Sequence, residues 1–344
     1  MLLVLFVHAN YFSLGGVEPS DIQNNVFYSF VKSFAEQLCI ICVNVFILIS
    51  GWFGIRPSLK GAASLLFQVF FFHIFIVGSY YCIGNPIPLK TVLKVFYFGV
   101  SYWFVPAYLV LYAISPVLNS FIFNASPRSY VSVLLAFFTL EFALGWVGNF
   151  AHFGGGYSTI SFIGLYLLAG FLRKHSGKML EVSMCKNCLL YLLFTLIPVG
   201  MFLITGQNFG MLKYSSPFVV LSSAFFFLTF YKMRISSNTV NYIACSAFSI
   251  YLVHLHPLVY DHYKYLMTWA YDLLGGGLYI LFVIVFALIF MIFCVLLDKL
   301  RILVWKWVCK IFLDSLLKKI EKMFDWAFNY IGSVSISGGV VKKS

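Results

Sequence analysis

Residues 277–297 read GLYILFVIVFALIFMIFCVLL, with no charged residue and no proline in the stretch. A helix needs roughly 20 mostly apolar residues to cross the hydrocarbon core of a bilayer, and this stretch supplies them. A soluble domain cannot hide such a surface. Comparable runs recur along the whole chain, near residues 1–14, 35–53, 62–83, 95–118 and 130–148 in the first half. The second half adds runs near 158–172, 188–205, 217–231 and 241–262. The expected fold is therefore all-α, a polytopic transmembrane helical bundle of about ten spans.

Composition agrees with this reading. Of 344 residues, 62% are hydrophobic, 20% aromatic and only 10% charged, too little polar surface to cover a soluble globule. The net charge of +12 does not point to nucleic acid, because the 23 Lys and Arg fall in short clusters between apolar runs. They mark topology instead. With the N-terminus in the cytoplasm, 18 of those cations face the cytoplasm, leaving Lys32, Lys90, Lys94, Lys213 and Lys264 outside. Ten spans with both termini cytoplasmic follow.

Three segments are expected: a membrane domain over 1–297, a basic amphipathic interfacial helix over 298–330, and a disordered Ser- and Gly-rich tail over 331–344. The first span is short for a crossing, so the start is expected to lie inside a longer protein. Eight cysteines sit singly, and the Cys185 and Cys188 spacing lacks a second pair, so no metal is expected. No nucleophile elbow, phosphate-binding loop, HExxH or dinucleotide fingerprint occurs, which argues against soluble-type hydrolase, ATPase and metalloprotease chemistry.

Ionisable groups at membrane depth are costly, so each is a candidate. His8 lies in LFVHANYF with Asn10 and Tyr11 as neighbours; it suits either a hydrogen-bonded structural role or a general base. Arg56 and Lys60 in GWFGIRPSLKG share one side of a helix start. They fit a positive-inside anchor or a site for phosphates, such as those of coenzyme A. His73 sits mid-span with no role assigned, and Glu141 needs a partner there. His152 to Tyr157 form a loop with three glycines, either a flexible connector or a place where an acceptor docks. His254 and His256 precede Pro257, where a hydrogen bond at a helix kink is the plain alternative.

Four motifs occur in a fixed order: VHANYF (7–12), NVFILISGWFGIRPSLKG (44–61), YWFVPAYLVLYAISPVLN (102–119) and FSIYLVHLHPLV (248–259). Together they resemble the acyltransferase 3 family of integral membrane acyltransferases, over nearly the whole chain. That resemblance implies an O-acetyltransferase of bacterial cell-envelope polysaccharides in the cytoplasmic membrane, with acetyl-CoA or another acyl-CoA as donor and an envelope glycan or lipid-linked sugar as acceptor. It implies His8 as catalytic residue, Arg56 and Lys60 as donor-binding residues, and a further histidine at His254. The family's Arg about ten residues before that His would precede Met1. A transporter or flippase of lipid-linked glycans, without acyl transfer, is the alternative from another class.

Overall fold

The computed structural model describes residues 1–97, 102–148, 150, 152–175, 177–233, 235–316, 318–320 and 322–323. Among them the chain is 84% helical with no strand. Six helices are long and apolar enough to cross a membrane: Val26–Phe53, Leu59–Cys82, Phe104–Asn124, Pro127–Val147, Met184–Thr205 and Pro257–Ile320. Leu2–Phe12 and Pro217–Lys232 are shorter apolar helices. The protein is an integral membrane protein built on an all-helical scaffold.

In chain order the elements are α1 (Leu2–Val7), α2 (Pro19–Asn24), α3 (Val26–Cys39), α4 (Cys42–Phe53), α5 (Leu59–Cys82), α6 (Leu89–Leu93), α7 (Phe104–Asn124) and α8 (Pro127–Leu140). They continue as α9 (Thr159–His175), α10 (Gly177–Glu181), α11 (Met184–Thr205), α12 (Pro217–Lys232), α13 (Asn238–Ala244), α14 (Ala247–His254) and α15 (Pro257–Val308). α4 is the central strut, packed on α9 and α12, while α5 lies against α14 and α15. A side chain on Gly51 would meet the Tyr166 backbone at 2.5 Å, so this glycine is what lets α4 and α9 touch.

Two boundaries differ from the expectation drawn from apolar runs. The span expected over 35–53 begins at Val26, where the Asn25 side chain accepts from the Tyr28 amide and caps the helix. The polar residues Ser29, Ser33, Glu36 and Gln37 interrupt the apolar run, yet they lie on the buried face of α3. The run expected over 241–262 is broken between α14 and α15, where the His256 side chain accepts from the Leu258 amide and Pro257 takes the first helical position. α15 then bends at Gly275, whose φ of +70° no other residue adopts easily, and continues unbroken past Asp298. There Arg301 and Gln68 both bind the buried Asp298 carboxylate. The expected tail over 331–344, and residues 324–330 of the expected interfacial helix, lie outside the described residues.

Candidate active site

The first helix does not stay α-helical. From His8 to Phe12 it widens into a π-helical turn, a geometry that strips carbonyls of their usual partners and is frequent at functional sites. In hydrocarbon those carbonyls need side-chain donors. The Tyr263 hydroxyl donates to the Leu5 carbonyl at 2.8 Å, the Tyr279 hydroxyl to the Ala9 carbonyl at 2.7 Å, and the Ser13 hydroxyl to the His8 carbonyl at 2.6 Å. Three hydroxyls, two of them from α15, thus fix the turn that carries His8. Nothing in the pattern of apolar runs singles out Tyr263 or Tyr279.

His8 faces a cavity of about 40 Å³, lined also by Cys42, Phe46, Trp103, Tyr214 and Tyr251. One water needs roughly 10–15 Å³ on this measure, so the space suits about three water-sized atoms. The imidazole stacks on Phe12 at 4.6 Å between centroids and meets the His254 ring edge-on at 5.0 Å and Tyr260 at 5.7 Å. Its Nδ1 is buried with no hydrogen-bond partner.

His254 is fully buried at the end of α14, and its Nδ1 lies 2.6 Å from the Ile250 carbonyl. A carbonyl only accepts, so Nδ1 carries the proton and Nε2 of the neutral ring is a bare lone pair. That Nε2 is also unpartnered. The helix-kink hydrogen bond and the free nitrogen therefore coexist on one ring.

Two residues on, His256 behaves differently. Its Nδ1 accepts from the Leu258 amide at 3.2 Å, so its Nε2 carries the proton and donates to His73 Nδ1 at 3.0 Å. The His73 Nε2–H then reaches the Thr91 and Val92 carbonyls at 3.1 and 3.2 Å. Every nitrogen of this second pair is satisfied, which ties α5, α6 and the start of α15 together.

The other candidates are placed at varying distance from this cavity. Tyr157 packs at a tilt against Trp103 and Tyr214, at 4.6 and 4.7 Å between centroids, one layer behind the cavity wall. Burial holds the Tyr214 phenol well above its usual pKa, so it stays a neutral hydrogen-bonding group. The three glycines of the adjoining loop all have positive φ, and a side chain on Gly156 would strike Tyr214 at 2.5 Å. Close packing of two loops is what they serve. His152 is exposed just before those glycines and does not line the His8 cavity. Asn10 points out of the opposite side of the π turn, with its amide 3.5 Å from the Lys32 carbonyl. Asn44 donates to the Tyr214 carbonyl at 3.0 Å, and Ser161 donates to the buried Glu141 carboxylate at 2.6 Å.

Arg56 and Lys60 lie at the far end of α4. Cys42, which lines the cavity, opens this helix, and Phe53 closes it. At 1.5 Å per residue its 12 residues separate the two ends by about 18 Å. The loop that presents Arg56 is clamped on both sides. The Ile55 amide donates to Tyr166 Oη at 2.8 Å, Asn119 donates to the Ile55 carbonyl at 2.8 Å, and the Ser58 amide donates to Tyr112 Oη at 2.9 Å. Arg56 itself is exposed, Lys60 pairs with Asp314 at 2.7 Å, and Arg173 donates to the Trp52 carbonyl nearby at 2.7 Å. Arg173 adds a cation that lies outside the four motifs.

The arrangement thus holds an unsatisfied histidine pair at one end of α4 and a rigid basic loop at the other. A family model described as an acyltransferase domain matches residues 1–299. No curated protein and no solved structure matches the chain.

Proposed function

The chain belongs to the acyltransferase 3 family, and from that premise we propose that it moves an acyl group, acetyl by preference, from acyl-CoA to a hydroxyl of a cell-envelope polysaccharide. In this reading ten spans place both termini in the cytoplasm, and the membrane is the cytoplasmic membrane of a bacterium. The observation that carries it is His8, an imidazole whose Nδ1 is buried without a partner on a π-helical turn facing a cavity of about 40 Å³. An unsatisfied buried nitrogen costs stability, and such groups are retained where a ligand completes them.

His8 takes the proton of the acceptor hydroxyl as that oxygen attacks the thioester carbonyl. The carbon–oxygen bond forms, the carbon–sulfur bond breaks, and the coenzyme A thiolate leaves and is protonated. His254, edge-on to His8 with a bare Nε2, stabilises the imidazolium that forms. Arg56 and Lys60 hold the donor phosphates. The roughly 18 Å along α4 suits a donor anchored by phosphates at one end and reactive at the other. The cavity beside His8 is small, about 40 Å³, in keeping with a short acyl group such as acetyl. Tyr157, His152 and Asn10 remain candidates for contact with the acceptor, Asn10 on the face of the π turn that lines the larger groove.

The test is transfer of labelled acetyl from acetyl-CoA to envelope glycan in membranes carrying the full-length protein. The wild type transfers, and His8→Ala does not. Unchanged transfer in His8→Ala sinks the catalytic assignment, and glycan translocation without any acyl transfer replaces it with a flippase.

A further inference from the structure

On the face of the π turn opposite His8 lies a groove of about 540 Å³, walled by α3 and α15. Its floor is apolar, formed by residues such as Val31, Cys39, Ile280 and Val283. One rim is polar. Lys32 stands there with its ammonium 6.0 Å over the Tyr28 ring, and the Tyr28 and Tyr271 hydroxyls meet at 2.8 Å across the two helices. Among the described residues Lys32 joins no ion pair.

The groove exists because side chains are missing from one wall. Gly275 breaks α15, and Gly276 and Gly277 follow it along the groove. A Cβ added at either meets nothing within 4 Å, so the volume is open space rather than a packing necessity. An apolar trough ending in a cation that makes no close ion pair, with only the buried Glu36 carboxyl one turn along α3 acting on it, fits an amphiphile with a hydrocarbon chain and a negative head. The position of the rim narrows the choice further. Asn10 and Ala9 line the same groove, two residues and one residue from His8, and the Asn10 amide lies 3.5 Å from the Lys32 carbonyl. A head attached at Lys32 therefore emerges beside the turn that holds the base.

We propose that this groove binds the carrier end of a lipid-phosphate-linked sugar acceptor, its phosphate on Lys32 and its chain along the floor between α3 and α15. This rests on the acyltransferase reading for its purpose but not for its test. The sugar then reaches the His8 cavity by passing around the π turn.

The full-length protein in phosphatidylcholine nanodiscs is titrated with farnesyl phosphate and with farnesol, which differ only in the phosphate. Farnesyl phosphate binds about tenfold more tightly, the margin expected for hydrogen bonds to a charged group. Lys32→Gln removes that margin while farnesol binding persists, and Lys32→Arg keeps it. Gly277→Leu, tolerated because its Cβ meets no atom within 4 Å, weakens both probes about fivefold by filling the trough. Equal binding of the two probes, or a margin that survives Lys32→Gln, overturns the proposal. So does complete displacement by an equal mole fraction of phosphatidylglycerol, which would make this a general bilayer-lipid site. A protein that shows the margin but transfers no acyl group keeps the groove and loses the transferase reading. Transfer without the margin does the reverse.

Discussion

Two histidine pairs hang from the one turn between α14 and α15, and they are finished differently. In the pair His73 and His256 every ring nitrogen has a partner, from the Leu258 amide at one end to the Thr91 and Val92 carbonyls at the other. In the pair His8 and His254 one nitrogen on each ring is buried with none. On the acyltransferase reading proposed above, the difference separates a staple, His73 with His256, from a site, His8 with His254.

Substitutions that break this contrast are ranked by expected size. His8→Ala lowers acyl transfer by about 10²–10⁴-fold, the usual contribution of a general base, while the thermal unfolding midpoint barely moves. Initial rates with labelled acetyl-CoA and a melting curve check both halves. His254→Asn lowers kcat by up to about 10²-fold through misplacement of its neighbour, with KM for the donor unchanged. A matched fall in kcat and rise in KM would instead make His254 a binding residue.

His73→Ala has the opposite signature. It strands the His256 Nε2–H and costs about 1–3 kcal/mol of stability, read by thermal unfolding, while activity per folded molecule stays near that of the wild type. Smaller effects belong to the far end of α4. Arg56→Ala raises KM for acyl-CoA about tenfold with kcat unchanged, since its clamped loop loses a phosphate contact. Lys60→Ala raises it only about twofold, because that ammonium is exposed and already paired with Asp314.

Much of the scaffold was legible in the apolar runs, because lipid permits few alternatives to helices of that length. The boundaries that failed did so for identifiable reasons. Ser29 and Ser33 fall outside the expected span because they are polar, yet they turn inward on α3. The break at His256 lies inside one continuous apolar run, so hydropathy does not mark it, and Pro257 fits a kink as well as a helix start.

The site was legible only in part. His8 and His254 were singled out from motif resemblance, but their edge-on contact joins residues too far apart in sequence for any local pattern to foresee. Tyr263 and Tyr279 are ordinary tyrosines in a long helix until the π turn shows which carbonyls they serve. The clamps around Arg56 likewise come from two other helices, α7 and α9. Short spacing rules reveal helices and candidate charges; they do not reveal which buried nitrogen is left without a partner.

The most direct test compares the two pairs side by side, measuring acetyl transfer by His8→Ala and His73→Ala in membranes with each rate normalised to folded protein. The account predicts a loss of at least about 10²-fold for His8→Ala and a rate within about threefold of the wild type for His73→Ala. Equal losses in the two variants, or a larger loss in His73→Ala, would contradict it.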